Sequence, residues 1–268
     1  MLRSLFTGIS GLTAHQQMLD VTSNNIANVN TAGFKASSSV FEDTLSQTLS
    51  GGGSATATQG GTNSMQVGLG VKLAGTDLNF TQGSAQATGV ASNLMINGDG
   101  FFTVQAQNGN QLYTRAGSFK LDNIGHLVLP DGAMLQDPTG APLVLSGLIN
   151  GTYVSYTVDP NGQINGVDAA GVTTNIGTVG MATFANPGGL LKVGNTEFQS
   201  TASSGVAQTG AANTGGRGSL TSGYIEMSNV NLAQELTNLI ISQRGFQANS
   251  KVVTTSDEIL QTLVNLKQ

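Results

Sequence analysis

Hydrophobic positions follow two different rhythms along the 268 residues. Near the start, Leu2, Leu5, Ile9, Leu12, Gln16, Leu19, Ser23 and Ile26 recur in alternating steps of three and four, the a/d spacing that gives an α-helix one apolar stripe. Near the end, Leu232, Leu236, Leu239, Gln243, Phe246, Ser250, Val253, Asp257, Leu260 and Val264 keep the same alternation. Between these segments the period changes to two. Short runs such as FFTVQA, GHLVL, YVSYTV and VGMATF are separated by the turn signals NGDG, DNIG, PDG, DPTG, NG and DPNG, which is the grammar of antiparallel β structure in a sandwich or barrel. The expected fold is mainly β, an antiparallel β-rich middle with long N- and C-terminal α-helices that form a coiled-coil-like inner domain.

Two low-complexity stretches, Ser50 to Ser64 and Ser200 to Ser219, separate the helical ends from the middle, and Gly/Ser/Thr/Ala mixtures of this kind make flexible or weakly structured connections. The domain plan is a terminal helical domain of residues 1–30 and 228–268, extended connecting segments at 31–90 and 200–227, and a β-rich outer domain at 91–199. Gly8, Gly11 and Gly245 each lower helix propensity by up to ~1 kcal/mol relative to Ala. A two-helix seam that also contains Gln16, Ser23, Gln243, Ser250 and Asp257 is weak in isolation, but polar a/d residues restrict register and oligomer state. Such helices settle against each other or against copies of themselves in neighbouring subunits.

The segment NNIANVNTAGFK, Asn24 to Lys35, follows the first helical pattern and places four asparagines in seven positions. Asn24, Asn25, Asn28 and Asn30 terminate the helix by bonding nearby backbone, and Gly33 finishes the turn.

Composition narrows the function classes. Charged residues make up 9% of the chain, the net charge is −5, and no cluster of Lys and Arg occurs, so the electrostatic footprint of nucleic-acid binding is missing. A chain so short of charge hides much of its surface against something. There is no cysteine, which excludes disulfides, thiolate metal sites and thiol nucleophiles. No apolar run approaches the ~18 residues of a membrane span, so no membrane insertion is expected, and the start lacks the pattern of a Sec-type signal peptide.

Candidate chemistry is sparse. His15 and His126 have no partner at metal-ligand spacing, no GxSxG elbow occurs, and the GLG and GDG pairs complete neither a GxGxxG nor a Walker pattern. DPNGQINGVDAA, from Asp159, opens like a calcium loop but has Ile164 where glycine is needed and Ala170 where the bidentate Glu belongs. Asp99, Asp122, Asp131, Asp137 and Asp159 all sit in turn signals, where Asp bonds its own backbone. No enzyme, cofactor or metal site is expected.

Ser10 to Lys35, SGLTAHQQMLDVTSNNIANVNTAGFK, closely resembles the N-terminal signature of the bacterial flagellar axial proteins, the rod and hook subunits. Ser228 to Lys267, SNVNLAQELTNLIISQRGFQANSKVVTTSDEILQTLVNLK, resembles their C-terminal signature. With INGDGFFTV at Ile96 and YTRAGSFKLDNIGHLV at Tyr113, the resemblance extends over nearly the whole chain. It implies an elongated, multi-domain axial protein that is not an enzyme, is exported by the flagellar type III apparatus, and polymerises with itself into a hollow helical tube whose inner wall is made of the terminal helices. On that basis Leu5, Ile9, Leu12, Leu19, Ile26, Leu232, Leu236, Leu239, Phe246, Val253, Leu260 and Val264 are the assembly residues. Asn24, Asn25, Asn28, Asn30, Gly33, Phe34, Gln243, Arg244 and Asn249 carry the family signature, and the asparagines also suit a contact with a neighbouring chain.

FEDTL, with Phe41 and Leu45, resembles the family's export-gate element; read from the residues alone it is an i, i+4 apolar pair on a short helix. Within the family, NFTQGSAQATG at Asn79 and the pair Phe246 and Gln247 resemble hook members, since distal rod members tend to carry Tyr and an acidic residue there. The expectation is therefore a hook subunit joining basal-body rod to filament, with the distal rod protein, hook cap and hook-filament junction proteins as partners. The alternatives are the distal rod protein or, from another class, a secreted β-rich adhesin, for which a chain without tryptophan offers little aromatic platform.

Overall fold

The computed structural model describes residues 2–56 and 60–266; Lys267, the last residue of the C-terminal signature, and part of the first low-complexity stretch lie outside them. The chain divides into two compact units.

The first unit gathers three segments: the chain up to Ala27, Ser37–Asp77, and the chain from Asn231 onward. Its helices are α1, Leu2–Ala27, and a long C-terminal helix, Leu232–Asn265. The C-terminal helix starts where the Asn231 side chain accepts from the N–H groups of Ala233 and Gln234, and Glu235 adds negative charge to its first turn, both favourable at a helix N-terminus. The strand Ser37–Asp43 pairs with Val71–Leu78, and Ser46–Ser50 forms an antiparallel hairpin with Met65–Gly68. That hairpin is exposed on both faces. It carries no charged side chain, and an isolated two-stranded hairpin is marginal in water.

The second unit, Asn28–Ala36 with Leu78–Val230, is built on a nine-stranded sheet and a three-stranded one, Tyr153–Val158, Gln163–Asp168 and Thr173–Thr178. Every strand pairing with a stated register is antiparallel. Period two is visible in the strand Phe101–Gln105. Phe102 and Val104 enter the main core with Leu94, Ile96, Phe119 and Leu135, whereas Phe101 enters a second cluster with Tyr113, Phe184 and Phe198. Aromatic edge-to-face contacts tie both clusters: Phe102 to Phe119 at 5.3 Å and Tyr113 to Phe184 at 4.8 Å between centroids. The Asp-containing turns do what their sequences ask: Asp137 Oδ1, for instance, accepts from the N–H of Thr139 and Ala141.

One expectation is corrected here. The Ser200 to Ser219 stretch is no loose connection. Ser204 and Ala212 are buried, residues Gln208–Gly210 pair with Met181–Thr183, and the Arg217 guanidinium donates to the carbonyls of Ala211 (2.9 Å) and Gln208 (3.3 Å). Small side chains allow close packing as readily as they allow freedom, and here the sheet supplies the partners.

Candidate assembly surface

α1 and the C-terminal helix, which we call α3 after the short helix α2 at Ser146–Ile149, run antiparallel against each other. Ser4 Oγ lies 3.4 Å from Ser256 Oγ. A Cβ placed on Gly8 would come 3.1 Å from Val253, one on Gly11 would come 2.8 Å from the Asn249 amide, and one on Gly245 would strike the His15 ring. Asn25 meets Glu235. The seam in α1 is therefore Ser4, Gly8, Gly11, His15, Thr22 and Asn25, small or polar residues one position away from the apolar a/d series. In α3 it includes Glu235, Ser242, Gly245, Asn249 and Ser256, with Ser242 and Ser256 buried.

This placement settles where the expected assembly residues go. Val253 packs on Gly8. Leu5, Leu12, Leu19, Ile26, Leu239 and Leu260 are half-buried at the margins. Ile9, Leu232, Leu236, Phe246 and Val264 are exposed, with Leu236 46% and Val264 64% accessible. Two helices pressed together through glycines and serines turn their large apolar side chains outward. Of Leu2 only the backbone is described. The heptad pattern is present, but it does not close the pair within the chain.

The asparagine segment divides between roles. α1 runs through Asn24 and Asn25 to Ala27, so those two do not end the helix. Asn25 is 1% exposed; its Nδ2 donates to the Ser37 carbonyl (2.7 Å) and to Glu235 Oε1 (3.0 Å), and its Oδ1 accepts from the Ser37 N–H (3.0 Å). It thus pins the end of α1 to the following strand and to the first turn of α3. Asn28 does form the turn: its carbonyl accepts from the Thr31 N–H at 3.1 Å and its Oδ1 from the Thr31 hydroxyl. Asn30 is exposed, while Gly33 has φ +72° and presses against the Arg115–Ala116 backbone, a position no side chain fits.

Phe34 and Lys35 lead into a site that sequence reasoning missed. Lys35, Arg115 and Glu226 are buried together. Lys35 Nζ donates to Glu226 Oε1 (2.7 Å) and to the Thr81 carbonyl (2.8 Å). The same Oε1 accepts from the Gly83 N–H (2.8 Å), and Arg115 Nη1 reaches Glu226 Oε2 at 3.3 Å while Nη2 donates to the Gly98 carbonyl. The Arg115 guanidinium lies 5.4 Å over the Phe101 ring, and Lys192 lies 4.6 Å over Phe34. Burial pulls Lys35 and Arg115 below their ordinary values, and the Glu226 carboxylate opposes that in both. Two cations around one carboxylate are helped by backbone acceptors, Thr81 for Lys35 Nζ and Gly98 for Arg115 Nη2, although Arg115 Nε stays buried without a partner. The signal in the sequence is the rarity of charge: isolated Lys, Arg and Glu in Gly-rich, apolar surroundings.

Of the other family residues, Asn249 packs on Gly11 and donates to the Gly245 carbonyl at 3.0 Å, whereas Gln243 and Arg244 are exposed. Phe41 lies in the strand Ser37–Asp43, half-buried, and Leu45 is 84% exposed, so the short-helix reading of that pair is corrected to extended chain. Among the described residues no helix is long and apolar enough to cross a membrane.

Three sequence profiles match the chain. One described as "Flagella basal body rod protein" covers residues 5–35, one described as "Flagellar hook protein FlgE/F/G D1 domain" covers 95–166, and one described as "Flagellar basal body rod FlgEFG protein C-terminal" covers 221–266. The chain is 48% identical over 271 residues to flagellar basal-body rod protein FlgG of Bacillus subtilis, with all of both chains covered. The chain belongs to the family of flagellar rod and hook axial proteins. It is also 37% identical over 273 residues to flagellar basal-body rod protein FlgG of Borreliella burgdorferi, and 30% identical over 442 residues to flagellar hook protein FlgE of the same organism, again with full coverage of both chains. In this axial protein the ion triad takes Lys35 from the first matched region, Arg115 from the second and Glu226 from the third. The family's three signatures meet in one buried site.

Proposed function

We propose that the chain is a rod subunit of the flagellar basal body, a structural protein that polymerises with copies of itself through its terminal helices. The observation that carries this reading is the end-to-end similarity to rod proteins of matching length; alignment to the hook relative requires 442 positions for a chain of 268 residues. The hook expectation drawn from NFTQGSAQATG at Asn79 and from Phe246 and Gln247 rests on short stretches and gives way to a match over the whole chain.

The helix surface supports the polymer. Ile9, Leu232, Leu236, Phe246 and Val264 are exposed on helices whose mutual seam is small and polar, and an exposed apolar stripe marks an interaction surface. Copies joined head to tail through a non-closing contact generate a helical assembly. The relatives are named as rod and hook proteins of the flagellum, which supports a structural role over a catalytic one. Export through the flagellar type III apparatus, with Phe41 and Leu45 as the recognition element, belongs to the same proposal. So does a domain plan with helices inside and β structure outside.

Electron microscopy of basal bodies from cells lacking the gene tests the choice. Rods truncated beyond their proximal part support the rod reading. Complete rods ending bluntly without a hook overturn it in favour of the hook subunit.

A further inference from the structure

Three hairpin turns of the nine-stranded sheet converge at one place: the turn between Phe101–Gln105 and Gln111–Thr114, the turn between Leu127–Val128 and Met134–Leu135, and the turn between Leu191–Gly194 and Glu197–Gln199. They line an open depression of about 260 Å³, formed by Gln107, Asn108, Asp131, Asn195 and Glu197 with no basic side chain among them. Glu197 is 5% exposed, in a strand flanked on both sides, and its Oε1 is buried without a hydrogen-bond partner. Asp131 uses Oδ1 to accept from the Ala133 N–H (3.1 Å), the turn role its sequence indicates. Its carboxyl group lines the same site and its charge acts on Glu197, so two acceptor groups share the place.

Carboxylates that share a site need a positive charge or a shared proton. A shared proton would satisfy the pair alone. It gives no account of the Asn195 amide and the open volume beside it, and room for further oxygen ligands is what a hard cation with six to eight of them requires. We propose that the three turn tips form a binding site for a divalent cation that prefers oxygen ligands, calcium foremost, held by Asp131 and Glu197 with the amide carbonyls of Gln107 and Asn195 and with water. Histidine and cysteine take no part, so the soft transition metals are disfavoured. Binding would tie the turn that carries Glu197 to the other two, which Gln107 Nε2 already links by donating to the Asp131 carbonyl at 3.4 Å. The site is independent of whether the chain builds rod or hook.

The test is calorimetric titration of calcium chloride into the full chain stripped with a chelator at pH 8, together with thermal melts in calcium or chelator. The expected result is one calcium per chain with a Kd of about 0.1–1 mM, the range of extracellular calcium modules, and a higher melting temperature in calcium. Glu197→Gln and Asp131→Asn each abolish the heat and the shift, while the Glu197→Gln melt in chelator shows the fold intact. No heat and no shift in the parent chain at roughly 10 mM calcium overturns the site and leaves a proton-sharing pair. An equal response in parent and Glu197→Gln also overturns it, since the cation then binds elsewhere.

Discussion

Lys35 and Glu226 stand 191 positions apart and meet at 2.7 Å, both side chains fully buried. The bond joins the end of the first matched region to the beginning of the third, and Arg115 brings in the sheet. Breaking a buried pair from one side strands the other charge, which costs about 3–5 kcal/mol. Glu226→Gln leaves two buried cations without their carboxylate, so chemical denaturation of that variant reads a loss of this order. Lys72 and Glu42 form a bond of the same length, 2.7 Å, in solvent, and Lys72→Ala leaves the denaturation midpoint where it was. Equal effects in the two variants contradict the assignment.

The helix seam makes a separate prediction. Gly11→Val improves nothing in a helix that packs through Gly11, because even a Cβ stands 2.8 Å from the Asn249 amide, tighter than side chains tolerate. The variant loses helix pairing, read as lower helical circular dichroism and no polymer in electron micrographs, while the strand signal of the second unit persists.

Leu236→Asp and Phe246→Asp probe the outward stripe. Both side chains are exposed in the single chain, so monomer stability stays within about 0.5 kcal/mol of the parent. Polymerisation is lost in both, as sedimentation of the assembled material shows. A fall in monomer stability with assembly intact contradicts the outward placement.

For Glu197 the sign of the pH effect follows from its raised value. The unfolded carboxyl titrates near 4.5 and the folded one near 7, so the folded state holds a proton that the unfolded state has released. The favourable contribution is complete below 4.5 and is lost as pH rises to 7. In chelator, the parent chain weakens across that window by an amount on the order of 3 kcal/mol or less, whereas Glu197→Gln does not; melts at pH 4.5 and pH 8 separate the two.

The element types were legible because periods of 3.6 and 2 leave different marks: the a/d series at both ends gives α1 and α3, and the DNIG, PDG and DPNG turns fall between strands. The seam was not legible. Hydrophobic bookkeeping favours Leu12 and Phe246 over Gly11 and Gly245, and only the backbone approach reveals that the small residues face each other. Lys35, Arg115 and Glu226 escaped for a related reason, since a buried charge leaves no periodic trace and its partners lie in three distant segments. Asp131 satisfied its turn rule so well that nothing in its sequence neighbourhood points to Glu197, which lines the same depression 66 positions on.

Ser4 and Ser256, 252 positions apart, pair at the far end of the antiparallel seam, and Asn25 with Glu235 at the other. A chain threaded out end first, from either terminus, delivers one helix long before its counterpart. The first helix to emerge has to wait for nearly the whole polypeptide before the pair can close. Folding of the helical unit is therefore timed by the completion of delivery, and a subunit halted midway presents a seam of glycine, serine and asparagine with nothing of its own to cover it.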